Sequence, residues 1–283
     1  MTTKTMQITQ HRPGTSQLGA SNATGRLGQE SLWIAILLLL ALAGCAHQRA
    51  APESQRWARS QQLVLVTLPH WDADRGTLRT YMRDGRGWQA VGAAAPVVVG
   101  RAGAGWGLGL HPAQPAGPVK REGDGRNPAG VFAIGQAFGY VPGVATALPY
   151  TAMQPSHYCI DVVGSPLYDQ IIDARVVGEA AVKGSTEPMR RDIHADGDQR
   201  YRLGFVIEHN PDNVQGAGSC IFAHLWKTPD TATSGCTAMD ESTMQRLLAW
   251  LRPEHRPIFV LLPQAEYARL QATWQLPALA VRP

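Results

Sequence analysis

The sequence predicts a mainly β domain with a few helices, and three observations carry that expectation. Short runs of aliphatic and β-branched residues recur along the chain, bounded by Gly-, Pro- and Asp-rich turns. The first of these runs follow one another through tight turns, an antiparallel signature. Only one stretch of the 283 residues has clear helical periodicity.

Taken in order, Leu63 to Leu68 reads as a strand. Leu78 to Met82 alternates, Arg83-Asp84-Gly85-Arg86-Gly87 is a hairpin turn signal, and Trp88 to Val91 is the returning arm. Pro96 to Gly100 is a further short buried strand. Residues 101 to 118 are rich in Gly and Pro around Trp106 and are expected to form an ordered loop. A charged lead-in, Lys120-Arg121-Glu122-Gly123-Asp124, precedes Asn127-Pro128-Ala129-Gly130, a turn feeding a strand from Val131 to Ile134. Cys159 to Val163 and Tyr201 to Glu208 read as strands, with Glu187 to Arg191 opening a helical or loop lid between them. The clear helix follows Asp240, which caps it. Met244, Leu247, Leu248 and Leu251 make its apolar face, and Pro253 stops it. Ile258 to Leu262 is a last buried strand, and Gln264 to Trp274 a short terminal helix.

Chemistry concentrates between Cys220 and Met239. Ile221 to Ala223 reads as a buried strand closing at His224, and residues 227 to 233 as a loop leading to Thr233-Ser234-Gly235-Cys236. A thiol needs a base to become a nucleophile at neutral pH, and imidazole is the usual one. Folding the loop back brings His224 onto Cys236. The expectation is a partly exposed thiol with a lowered pKa, His224 as general base, and Ser234 and Gly235 supporting the turn and the oxyanion. His209 is the second candidate base. A metal hydrolase built on His209, His224 and Cys236 lacks a HExxH-type spacing, so no metal is expected.

The strand-closing His and the Thr-x-Gly-Cys-x-Ala turn resemble the L,D-transpeptidase (YkuD-type) family, in its proteobacterial lipoprotein branch. The Asn127-Pro128-Ala129-Gly130-Val131-Phe132 and Phe138-Gly139-Tyr140-Val141-Pro142 stretches extend the likeness over roughly residues 63 to 263. The best-studied members have His where Ser234 stands and Arg where Ala238 stands, and many members have Thr where Asn127 stands. The resemblance implies a curled antiparallel sheet or open barrel and no cofactor. It implies cysteine-dependent acyl transfer on peptidoglycan stem peptides, cut before a terminal D-Ala, in cell wall biogenesis. The acceptor is left open between a stem amine, a protein and water. Arg121, His209, Asn210 and Trp226 are the candidate substrate contacts. The alternative is a non-catalytic peptidoglycan-binding lipoprotein in which the departures at Ser234 and Ala238 mark lost activity.

The remaining expectations concern targeting and cysteines. The apolar run Leu32 to Leu42 is short for a membrane span and fits a signal-peptide core. It ends in Leu42-Ala43-Gly44-Cys45, which resembles a lipobox. Residues 1–44 are therefore expected to be removed, Cys45 acylated, residues 45–62 to form a tether, and 63–283 to be the catalytic domain. Ala46 is no acidic retention signal, which favours the outer membrane facing the periplasm. Of four cysteines, Cys159 and Cys220 are left either to pair or to stay as separate thiols. The formal charge of +4 is spread out, which argues against a nucleic-acid partner, and a monomer is expected.

Overall fold

The computed structural model describes residues 56–279. Cys45, the lipobox and the signal segment lie outside them. The fold is mainly β with a few helices, built on one 10-stranded sheet that closes on itself.

The centre of the sheet is the pair β1 (Gln62–Leu68) and β13 (Ile258–Pro263), every residue of which is buried. Strands covered on both faces read as continuous apolar runs rather than alternating ones, and the two pair in parallel from Leu63↔Ile258 to Leu68↔Pro263. Burying each Leu, Val, Ile or Phe here contributes about 1.5–3 kcal/mol. β1 turns back antiparallel into β2 (Arg75–Asp84), and β2 into β3 (Gly87–Val98). Their hairpin closes where Asp84 Oδ1 accepts the Arg86 N–H at 2.8 Å. β3 runs on through the stretch expected to be a separate strand at Pro96.

On the other side, β13 pairs with β5 (Asn127–Gly139). At 13 residues β5 is long enough to serve two neighbours. Its first half meets β13, and its second half meets β10 (Leu203–Glu208). β4 (Ala104–Trp106) and β6 (Tyr150–Ala152) hang off β5, and the other eight strands run β10, β11 (Phe222–Leu225), β12 (Thr237–Met239), β3, β2, β1, β13, β5 and back to β10. The ring is mixed rather than purely antiparallel, because β1 with β13 and β11 with β12 are parallel joints.

A second, three-stranded sheet of β7 (His157–Cys159), β8 (Ile171–Asp173) and β9 (Glu187–Pro188) sits between β6 and β10 in sequence. It carries two four-residue helices, α1 (Ala174–Val177) and α2 (Arg191–His194). A disulfide joins Cys159 to Cys220, with Cα atoms 5.9 Å apart, and so ties this sheet to the approach to β11. The expected strand at Cys159 ends there, and Val163 is exposed. The helix α3 (Glu241–Trp250) starts where Asp240 Oδ1 accepts the Thr243 N–H at 2.9 Å, and its expected apolar face is buried. The terminal helix α4 spans Gln264–Leu270. Trp57 is buried and donates to the Trp274 carbonyl at 3.1 Å, so packing begins inside the stretch expected to be tether.

Candidate active site

The parallel joint between β11 and β12 fixes the site. Ala223 lies opposite Thr237 and His224 opposite Ala238. Side chains two apart on a strand share a face, so Cys236, two before Ala238, is carried on the same face as His224. The loop from Trp226 to Gly235 must run back past β11 to enter β12 in parallel. Cys236 is thereby delivered beside Phe222, whose N–H donates to Sγ at 3.3 Å. The thiol itself donates to the Cys220 carbonyl at 3.5 Å.

The turn before Cys236 is held by Thr233, which sequence reasoning did not single out. Its Oγ1 donates to the Cys236 carbonyl at 2.5 Å and accepts the Gly235 N–H at 3.2 Å. Gly235 has φ 150°, and a Cβ there would lie 2.9 Å from the Arg126 carbonyl oxygen, so only glycine fits. Ser234, expected to support the turn, is exposed and accepts from Arg101 Nη1 at 3.2 Å instead. Beneath the turn, buried Asn127 accepts the Gly100 N–H at 2.7 Å and donates to Thr237 Oγ1 at 2.9 Å. It therefore pins β5, β12 and the end of β3 together.

His224 is buried, and its Nδ1 lies 2.7 Å from the Leu225 carbonyl. A carbonyl only accepts, so Nδ1 carries the proton and Nε2 keeps its lone pair. Burial brings the imidazole down to about 4, with Arg200 and Arg191 adding to the effect against the Leu225 bond. The ring meets Tyr201 edge-on at 5.2 Å. The Tyr201 hydroxyl donates to Glu187, whose carboxyl is pushed up by burial. Arg191 and Arg200 both bind Asp198, at 2.8 Å and 2.6 Å. The expected lid thus forms part of the wall, through β9 and α2.

Cys236 departs from expectation. It is buried rather than partly exposed, and burial, with the negative Glu187 nearby, pushes its thiol up to about 12 against the opposing Phe222 N–H. The resting pair is a neutral thiol and a neutral imidazole. Both line one cavity of about 460 Å³, together with Lys120, Glu122, Glu187 and Arg101.

The four expected substrate contacts do not line that cavity. Arg121 is exposed, while its neighbours Lys120 and Glu122 line the cavity, because residues 121 to 124 fold into a turn closed on Asp124, which accepts the Arg121 N–H at 2.7 Å. His209 is buried with both nitrogens used. Nδ1 accepts the Leu108 N–H at 3.2 Å and Nε2 donates to the Ala217 carbonyl at 3.0 Å. Asn210 bonds the Val214 and Gly218 carbonyls at 3.0 and 3.1 Å and staples its own loop. Trp226 lies past the end of β11, on a separate cavity of about 690 Å³ bordered by Arg202 and Glu241. His157 opens β7 and His194 ends α2. Among the described residues, Cys159, Asp169 and Cys220 form a metal-type grouping, but the disulfide leaves no thiolate for an ion.

No protein-family model, curated protein or solved structure matches the chain.

Proposed function

We propose that the chain is a cysteine acyltransferase of the L,D-transpeptidase type, acting on peptidoglycan stem peptides in the cell envelope. The observation that carries this reading is the shared cavity of Cys236 and His224, with His224 Nε2 unprotonated. A substrate carbonyl seated against Sγ draws the thiol proton to Nε2 as the carbon–sulfur bond forms. A preformed thiolate–imidazolium pair is disfavoured by the burial of both groups, so proton transfer accompanies attack. The Gly235 N–H is engaged by Thr233, so on this side oxyanion support falls to the Cys236 N–H. The imidazolium then protonates the leaving amine, and an incoming amine or water releases the acyl group by the reverse sequence. Acylation at Cys45 would tether this chemistry to a membrane facing the wall.

The test is mass analysis of the intact protein after incubation with a stem tetrapeptide. A shift equal to the acyl group, absent in Cys236→Ala, supports the reading. The buried neutral thiol favours one second reading, a wall-binding protein without turnover. Tight peptide binding with no mass shift in the unmutated chain would select it.

A further inference from the structure

The cavity holds an uneven set of charges. Four cations and three carboxylates line it: Arg101, Lys120, Arg191 and Arg200 against Glu122, Asp161 and Glu187. Three of the cations are committed. Lys120 binds Asp124 at 2.6 Å, Arg191 binds Asp198 at 2.8 Å and Glu187 at 3.4 Å, and Arg200 binds Asp198 at 2.6 Å. Among the described residues, Arg101 alone of the four has no carboxylate partner. Its one side-chain bond is to the Ser234 hydroxyl at 3.2 Å, which leaves most of the guanidinium's donors free.

Arg101 is also held in place. Its N–H donates to the Thr233 carbonyl at 2.9 Å, inside the turn that delivers the nucleophile. Its side chain lies over Gly125, where a Cβ would meet Arg101 Cζ at 3.1 Å and Cγ and Nε at 3.2 Å. Gly125, at φ 70°, thus leaves the space in which the guanidinium stem rests. An exposed guanidinium with no carboxylate partner, bonded to Ser234 two residues before the nucleophile, is suited to a carboxylate, which it can bind with two parallel bonds.

We infer that Arg101 is the specificity-determining residue of the Cys236 cavity, binding the terminal carboxylate of the residue that leaves. The inference rests on the acyl-transfer reading for which bond is cut, and it assigns recognition of the free C-terminus beyond the attacked carbonyl to Arg101. An amide or an extended chain there forfeits the bidentate bond and leaves the guanidinium facing a neutral group.

The experiment uses a stem tetrapeptide ending in D-Ala and its C-terminal amide. Binding of each is measured by calorimetry on Cys236→Ala, with acylation of the unmutated chain followed separately by mass. The expected result is roughly tenfold weaker binding of the amide, as for loss of a charge-assisted bond. Arg101→Ala should bind the free acid about as weakly as the amide and no longer tell them apart, while Arg101→Lys should recover part of the preference. Equal binding of acid and amide before Arg101 is changed overturns the inference, as does a preference that survives Arg101→Ala. Failure of acylation with the preference intact would instead count against the acyl-transfer reading alone. Ser234→Ala in the same background should keep the preference, since it removes only one donor's partner.

Discussion

The Cys236 thiol donates to the carbonyl of Cys220, and Cys220 is one half of the disulfide with Cys159. The nucleophile is therefore oriented by a residue whose own position depends on the small sheet of β7, β8 and β9. Cys220 sits at φ 57°, an unusual value for a non-glycine residue. Two bonds hold it there, the cross-link and the Asp169 carboxyl, which accepts its N–H at 2.7 Å.

Removing the cross-link in the paired Cys159→Ser, Cys220→Ser variant should cost about 2–4 kcal/mol of stability, given the long loop it closes. It should also loosen the wall that carries Glu187 and Arg191. Denaturant unfolding of oxidised and reduced protein measures the first effect. An unchanged midpoint would mean that the bond contributes nothing to the fold.

The resting thiol should react slowly with iodoacetamide at pH 8, because burial holds it up at about 12. The alkylation rate should keep rising beyond pH 10, where an exposed thiol of pKa about 8.5 has levelled off. A plateau below pH 8 would reveal a preformed thiolate and remove the neutral-pair mechanism.

How much of this could be read in advance differs from element to element. β1 and β13 were legible because strands buried on both faces spell continuous apolar runs. Cys236 and His224 were legible from residue type and from the turn ahead of the thiol. That β11 and β12 run parallel was not, since no residue pattern within either short strand sets its pairing direction. The inward and outward residues of the charged lead-in were misassigned for a related reason. Lys120 and Glu122 face the cavity and Arg121 does not because residues 121 to 124 fold into a turn, and no period in the sequence sets side-chain directions there. Glu187 and Arg191 reach the site through the small sheet, whose disulfide ties it to the approach to β11, and Arg200 through the turn that enters β10 beside β11. Both possibilities for Cys159 and Cys220 stayed open in the sequence, because pairing turns on a Cα separation.

Thr233→Val should damage the site without touching either reactive group. It removes the donor to the Cys236 carbonyl and the acceptor of the Gly235 N–H. Leaving those groups unpaired in a buried turn costs about 1–3 kcal/mol. Acylation should fall while binding of the peptide holds, and Thr233→Ser, which keeps the hydroxyl, should recover most of the rate. Equal rates for Val and Ser would show that the hydroxyl is not what holds the turn.

His224 and His209, both buried, should respond oppositely to truncation. His224→Ala should cut the acylation step by roughly 10²- to 10⁴-fold, the usual worth of a general base. His209→Ala should act on stability instead, since both of its nitrogens serve backbone groups, at a cost of about 1–3 kcal/mol. Comparable losses of rate per folded molecule in the two variants would show that His224 is not the base.

The pH dependence of acylation separates His224 from a neighbouring acid. A base must be neutral to accept a proton, and burial lowers the His224 imidazole to about 4. Activity that depends on His224 alone should therefore hold from neutral pH downward and fall only as pH passes through about 4. Asp169 titrates differently, because burial raises its carboxyl to about 7. Above that pH it is the carboxylate, the stronger acceptor for the Cys220 N–H, and Cys220 in turn receives the Cys236 thiol. A second, shallower decline between pH 7 and 6 would therefore belong to the positioning of the thiol rather than to the base. Asp169→Asn should abolish that shallow limb and leave the one near 4 in place. A steep limb near 6.5 that persists in Asp169→Asn would mean that the imidazole titrates as an exposed histidine does, and that the buried geometry of His224 is not the reacting one.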